Sequence, residues 1–237
     1  MSDSFPSAPA TYALRPGEVH VWKVTLASSN SAITEFRRIL SASERDRADR
    51  FSFEKDQARF ISCRASLRLL LSRYTAVPPD KIAFRYEPQG KPALVDAGWH
   101  FNVSHSRDLA AIAISHDAPV GIDLELIDPA FPRGDVAPEF LAPDEFAALA
   151  ALPPDTHLAS FFQLWTLKEA LLKALGSGFS LDPRSIHIRL DEALNPTIVS
   201  APPEFLQISL HSFHLHPGYA AALAVLTPIS NPSFYAL

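Results

Sequence analysis

The chain has 237 residues, 47% hydrophobic and 20% charged, with a formal net charge of -5 and a single cysteine, Cys63. That size holds one large core or two of roughly 110 to 120 residues each, and no apolar run approaches the about 20 residues needed to cross a bilayer. The acidic balance argues against broad nucleic-acid binding, and one cysteine excludes both an intramolecular disulfide and a multi-cysteine zinc site.

The opening M-S-D-S-F-P-S-A-P-A has neither a basic start nor an apolar core, so it reads as a frayed leader without a secretory signal, and the expected location is cytoplasmic. Residues 18 to 26 (E-V-H-V-W-K-V-T-L) read as a strand buried on one or both faces. A helix over 31 to 40 follows, and Ser43 is expected to cap the next, with Asp46 in its first turn. From 54 to 76, Phe60, Cys63, Leu67, Leu70, Leu71 and Tyr74 recur at helical spacing. They predict a long amphipathic helix ended by Pro78 and Pro79, with Cys63 a buried thiol. Arg45, Arg47, Arg50, Lys55, Arg59, Arg64, Arg68 and Arg73 lie along this stretch among Glu44, Asp46, Asp49, Glu54 and Asp56. They form either a solvated face or enough cation for a small polyanion.

A strand over 81 to 87, a turn over 88 to 92, an extended piece into F-N-V-S-H-S (101 to 106) and a strand over 109 to 115 follow. Pro119 opens the strand V-G-I-D-L-E-L (120 to 126). Next come a proline-rich connection over 128 to 143, a short helix near 144 to 152, and the segment F-F-Q-L-W-T-L-K-E-A-L-L-K-A-L-G-S-G (161 to 178). Leu164, Leu167, Leu171 and Leu175 form one apolar stripe there, with Thr156 as N-cap and Gly176-Ser177-Gly178 as the stop. Strands over 185 to 190, 205 to 213 and 219 to 226 complete the chain. The order long helix, strand, turn, strand occurs twice. The expected fold is therefore α+β with two similar halves, 1 to 117 and 118 to 237, each a long helix on a small antiparallel sheet, with the site at their interface.

Asp123 and Glu125 stand two apart on a strand and leave one face, while Ile122, Leu124 and Leu126 leave the other. Such a pair either meets solvent or holds a hard cation in a cleft, and all-oxygen ligation suits Mg²⁺. On the long helix Phe162, Thr166, Glu169 and Lys173 fall on a second line beside Trp165. The Glu169 and Lys173 charges there form a structural ion pair or a working one. With Glu169 as a third oxygen ligand and Lys173 in reach of a bound phosphate, the set points to phosphoryl chemistry. Asn102, Ser104, His105 and Ser106 add polar groups before a strand, and Lys91, between Gly90 and Pro92, reads as a solvated turn tip. His214 and His216 would share a strand face and His211 would not, which favours a surface strand over a metal site.

The ordered set Q-G-K-P (89 to 92), F-N-V-S-H-S (101 to 106), V-G-I-D-L-E (120 to 125) and the segment 161 to 178 resembles the Sfp-type 4'-phosphopantetheinyl transferases over residues 44 to 226. The stretch R-D-R-A-D-R-F before a long helix matches that family's habit. The resemblance implies a pseudo-dimeric fold and transfer of the 4'-phosphopantetheine arm of coenzyme A to a serine of an apo acyl, peptidyl or aryl carrier protein. The products would be holo carrier and adenosine 3',5'-bisphosphate. It also implies Asp123, Glu125 and Glu169 as Mg²⁺ ligands and Lys173 on the pyrophosphate. Placed beside both metal and acceptor, Glu169 is the expected base, directly or through a metal-bound water. Ser104 and His105, with Arg47 and Arg59, would face the 3'-phosphate, and Gly90, Lys91 and Pro92 would line the adenine side. Glu44 stands near a position where relatives carry a cation, which leaves the phosphate grip to Arg45 or Arg47. The carrier is expected on the connection from Pro129 to Phe140, with Phe131 and Phe140 as exposed anchors. One chain could build the whole cleft, so a monomer is expected, with neither nucleic acid nor membrane as a partner. Two rival readings use the same residues: a Mg²⁺-dependent coenzyme A pyrophosphohydrolase, and a non-catalytic carrier-binding module.

Overall fold

One order of elements runs through the chain twice. The computed structural model describes residues 5–6, 12–26, 29–88, 90–95, 98–176, 181–191, 195–205, 207–229 and 232–237. Leader residues 1 to 4 and 7 to 11, Gln89, and Ser177 and Gly178 of the expected helix stop lie outside the described residues. The first pass is β1 (Val19–Thr25), α1 (Asn30–Ile39), α2 (Ala42–Ala48), α3 (Glu54–Thr75), a 3-10 turn (Pro79–Lys81), a hairpin of β2 (Phe84–Tyr86) and β3 (Pro92–Leu94), then β4 (His100–Ser106) and β5 (Leu109–Ser115). The second is β6 (Val120–Leu126), α4 (Arg133–Phe140), α5 (Pro143–Ala150), α6 (His157–Leu175), a 3-10 turn (Pro183–Ser185), a hairpin of β7 (His187–Leu190) and β8 (Pro196–Ser200), then β9 (Ser209–Phe213) and β10 (Tyr219–Val225). A last strand, β11 (Ser233–Ala236), returns to the first sheet.

The strand orders are β11-β1-β5-β4 and β6-β10-β9, antiparallel throughout except for the parallel β1/β11 pair. Each sheet buries one face under its long helix. Leu67, Leu70 and Leu71 of α3 meet Trp22, Ile112 and Ile114, and Leu164, Leu167 and Leu171 of α6 meet Ala220, Ala222 and Ala224. The other two faces pack on each other through Val19, Val21, Ala111 and Ala113 against Ile122, Leu124, Leu223 and Val225. The layers are thus helix, sheet, sheet, helix, and each fully buried Leu, Ile or Val contributes roughly 1.5–3 kcal/mol.

A buried charge network anchors each long helix. Ser41, not Ser43, caps α2: its hydroxyl accepts from the Glu44 N–H at 3.3 Å, and Glu44 accepts from the Ser41 N–H at 2.8 Å. Glu44 then pairs at 2.7 Å with Arg68, whose guanidinium donates to the carbonyls of Pro79 and Ile82. In the second pass Glu145 accepts from the Ala142 N–H and pairs at 2.6 Å with Lys168, whose ammonium donates to the carbonyls of Pro183 and Ile186. Arg68 and Lys168 are both buried, so the cation row on α3 is not simply a solvated face.

Other boundaries move. Thr156 occupies the N-cap position of α6, yet its hydroxyl donates to the Pro153 carbonyl and caps nothing, whereas Gly176, at φ +69°, ends the helix as a left-handed cap. The strand expected over 81 to 87 shrinks to three residues because a 3-10 turn takes its start, and the strand expected over 205 to 213 begins at Ser209. The expected connection contains α4, and Phe140 and Phe131 are not exposed anchors. Phe140 is 4% exposed and stacks on Trp165 at 4.3 Å, and Phe131 packs on Phe162 and Trp165. Cys63 is buried, which pushes its thiol up to about 11. His211 lies in β9, while His214 and His216 lie beyond its end and are exposed. Among the described residues no helix is long and apolar enough to cross a membrane.

Candidate active site

Strand β6 and helix α6 approach so closely at Gly121 that no side chain fits there unless the backbone moves. A Cβ would lie 2.0 Å from the Ala170 carbonyl oxygen and 2.3 Å from the Ala174 nitrogen. Two and four residues on, the face that meets α6 presents Asp123 and Glu125, opposite the small Ala222 and Ala220 of β10. From α6, Glu169 and Lys173 come to the same place, one turn apart. Asp123, Glu125, Glu169, Lys173 and Trp165 line one cavity of about 370 Å³, whose remaining wall is Val103, Ser104 and His105 of β4. Glu125 and Trp165 also border a second cavity of about 180 Å³ walled by Leu126, Phe131 and Phe162, with Arg107 and Asp128 among its lining residues.

At the site, strand β4 joins the halves through alternate side chains. Asn102 Oδ1 accepts from the Ile122 N–H at 2.8 Å. Ser104 Oγ donates to Asp123 Oδ1 at 2.8 Å. Ser106 Oγ donates to Glu125 Oε2 at 2.9 Å and accepts from the Leu126 N–H at 3.1 Å. Lys173 Nζ donates to Asp123 Oδ1 at 2.5 Å and to Ser104 Oγ at 3.3 Å, so serine, carboxylate and ammonium form one cluster across three elements.

Crowding of acids shows in their proton affinities. Burial, and after it the Asp123 charge, pushes Glu125 up to about 7, with Ser106 and Lys173 pulling the other way. Burial likewise raises Glu169, which Lys173 offsets and Asp123 reinforces. His105 is held below its ordinary value by desolvation and by the Lys173 and Arg59 charges.

Among the described residues no group of three or more His, Cys, Asp or Glu side chains is gathered closely enough to hold a metal ion as it stands. The three carboxylates therefore share a cavity without forming a ready-made ligand cluster. Lys173 and Ser104 hold one oxygen of Asp123, and Ser106 holds one of Glu125. The donor chemistry nevertheless fits a hard divalent cation. Asp123 Oδ2 is buried without a hydrogen-bond partner, and two neighbouring carboxylates have raised proton affinity that a cation would relieve.

The other residues singled out in the sequence are not among those that line this cavity. Arg59 pairs with Asp56 and Asp108 and sits close enough to act on His105. Arg47 is exposed, lies over the Phe60 ring and lines a separate cavity with Arg50 and Phe51. Arg45 donates to the Leu40 carbonyl at the end of α1, so of the two arginines Arg47 is the more available. Glu44 serves the buried network described above. Gly90 forms the turn at φ +82°, Pro92 opens β3, and Lys91 is no solvated tip: its ammonium donates to the carbonyls of Lys173 and Val120. The sequence reads Asn102 and Ser106 only as polar groups before a strand and gives no role to Gly121. The period-two spacing of Asn102, Ser104 and Ser106 was the available signal for the first two.

Residues 119–224 match the 4'-phosphopantetheinyl transferase superfamily, and residues 24–117 match the family described as 4'-phosphopantetheinyl transferase, N-terminal. The chain is 38% identical over 176 residues to the 4'-phosphopantetheinyl transferase HetI of Nostoc sp., a match spanning 73% of this chain and 74% of that relative. It is 32% identical over 202 residues to the 4'-phosphopantetheinyl transferase psf-1 of Bacillus pumilus, spanning 85% of each. Among solved structures, a holo-(acyl-carrier-protein) synthase from Bacillus anthracis in complex with CoA (3',5'-ADP) is similar at a TM-score of 0.39 and 22% identity, over 45% of this chain and 93% of that one. With both halves matched and relatives of this identity spanning most of its length, the chain belongs to the 4'-phosphopantetheinyl transferases of the Sfp type.

Proposed function

We propose that this chain transfers the 4'-phosphopantetheine arm of coenzyme A to a serine hydroxyl of an apo carrier protein, releasing adenosine 3',5'-bisphosphate. The observation that carries the reading is the cluster of Asp123, Ser104 and Lys173, with Glu125 and Glu169 on the same cavity, in a chain of this family. Asp123, Glu125 and Glu169 are the residues that would hold Mg²⁺, which when bound supplies positive charge to the pyrophosphate oxygens. Lys173 adds a fixed cation where negative charge develops on the leaving phosphate. Glu169, whose proton affinity burial has raised, takes the proton of the incoming serine as its oxygen bonds to the β-phosphorus. The bond from that phosphorus to the bridging oxygen breaks, and the electron pair leaves with the nucleotide.

His105, which lines the cavity, Arg59, which acts on His105, and Arg47 suit the 3'-phosphate, with Gly90 and Pro92 on the adenine side. Ser104 is assigned to the Asp123 cluster, where its hydroxyl is engaged. Both cavity walls come from one chain, which supports a monomer. The sole cysteine is a buried free thiol, which suits a cytoplasmic address. The test is the intact mass of an apo carrier incubated with coenzyme A, Mg²⁺ and the protein. The expected gain is about 340 Da on one serine. Phosphopantetheine released without any carrier would support a pyrophosphohydrolase instead, and carrier binding with no reaction would support a non-catalytic module.

A further inference from the structure

The β2–β3 turn ends against the second half of the molecule. Gly90 closes it, with its N–H donating to the Glu87 carbonyl at 2.8 Å and the Glu87 N–H donating to the Lys91 carbonyl at 2.9 Å. From this pinned turn the half-buried Lys91 side chain reaches α6. Its ammonium donates to the Lys173 carbonyl at 2.5 Å and to the Val120 carbonyl at 3.3 Å. The Lys173 carbonyl belongs to the last turn of α6, where carbonyls lack intrahelical partners and the helix dipole favours a cation. Apart from Lys91 it receives the Gly176 N–H at 3.3 Å. Glu87 of the same hairpin presses on that helix end, with Oε2 2.8 Å from the point where a Gly176 Cβ would sit. Burial draws the Lys91 ammonium below its ordinary pKa, and Glu87 offsets part of that.

We propose that Lys91 is a positioning residue. It holds the end of α6 by the backbone of Lys173, so that the ammonium of that same residue stays seated between Asp123 and Ser104. The Lys91 side chain, committed to two protein carbonyls, does not grip the nucleotide. The kinetic consequence rests on the transferase reading, whereas the structural one stands without it.

Two measurements on Lys91→Met and Lys91→Arg test the proposal. In hydrogen-exchange mass spectrometry of the full chain, Lys91→Met is expected to speed amide exchange at least about five-fold in the last two turns of α6 and to leave α3 unchanged. Lys91→Arg is expected to restore most of the protection. In carrier loading, Lys91→Met is expected to lower kcat about ten-fold, with KM for coenzyme A held within about two-fold. Unchanged exchange at residues 169 to 176 in Lys91→Met overturns the proposal. So does a raised KM for coenzyme A at unaltered kcat, which would mark Lys91 as a ligand contact. A wild-type chain that loads no carrier would defeat the transferase reading alone, and the exchange experiment would still decide the role of Lys91.

Discussion

In the first half, Glu44 at the third position of α2 pairs with Arg68 of α3, which donates to two carbonyls three residues apart, Pro79 and Ile82. In the second, Glu145 at the third position of α5 pairs with Lys168 of α6, which donates to Pro183 and Ile186, again three apart. The anchoring of each long helix thus follows one pattern, down to the 3-10 turn that offers the carbonyls, and differs in the second oxygen of the glutamate, which faces Arg64 at 3.6 Å in the first half and accepts from the Ile188 N–H at 2.8 Å in the second. The face toward the sheet is not. Strand β1 turns His20, Trp22 and Val24 to α3, where the Tyr74 hydroxyl lies 2.6 Å from His20 Nδ1 and accepts from Trp22 Nε1 at 2.9 Å. Strand β6 turns Gly121, Asp123 and Glu125 to α6. One scaffold is filled with aromatic rings in one copy. In the other, a glycine lets the helix closer and carboxylates with a lysine occupy the opening, so the candidate site lies in the differences between halves and not in the fold they share.

The sharpest way to break this comparison is Glu169→Gln. Loading of a carrier should fall by about 10³-fold, or about 4 kcal/mol, with the melting temperature unchanged, and wild-type loading in that variant would remove Glu169 from the reaction. Next come the two anchors. Lys168→Met should cost about 3–5 kcal/mol in urea unfolding, because it leaves the buried Glu145 without its cation, and Arg68→Met less, because Arg64 stays 3.6 Å from Glu44. Equal losses would show that Arg64 does not compensate for Arg68.

Gly121→Ala should cost about 1–3 kcal/mol and lower kcat, since a methyl must push α6 off β6 where Asp123 and Lys173 meet. A neutral outcome would mean the helix can shift without disturbing the site. The smallest effect expected is a pH-dependent one, measured with a chelator present. His20 is held below its ordinary 6.5 by burial, so its contribution is complete above that value and is lost as pH falls through its depressed folded value. Glu125 is pushed up to about 7, so its contribution is complete below the ordinary carboxylate value of 4.5 and is lost as pH rises through 7. The two groups therefore oppose each other below pH 6.5, down to the depressed value of His20. Melting curves should show a shallower acid limb in His20→Gln and a steeper one in Glu125→Gln, and parallel curves would count against both assignments.

Much of this was legible in the residues. The leucine stripe of α6 and the glycine that stops it, the shared face of Asp123 and Glu125, and the doubled element order all follow from local periodicity, and all are found. Failures cluster where one hydrogen bond chooses between near neighbours. Ser41 wins over Ser43 as a cap because only Ser41 has Glu44 three residues on. Phe131 and Phe140 read as exposed anchors because a proline-rich stretch looks like a loop, yet Trp165, some 25 to 34 residues away, gives them a wall to pack on. Strands β8 and β11 lack the alternation that announces a strand and are held by their partners, β11 by β1 from the far end of the chain.

What the sequence by itself determined is which candidate groups there are and the face of the element on which each stands, because side-chain direction repeats every two residues in a strand and every three to four in a helix. Only the tertiary structure decided where those faces meet. Gly121 sets how near α6 comes, Ser104 and Ser106 hold their carboxylates from another half, and Lys91 spans 82 residues to a backbone carbonyl. Such contacts depend on the chain's return to itself, and no local spacing encodes the partner a long side chain will find there.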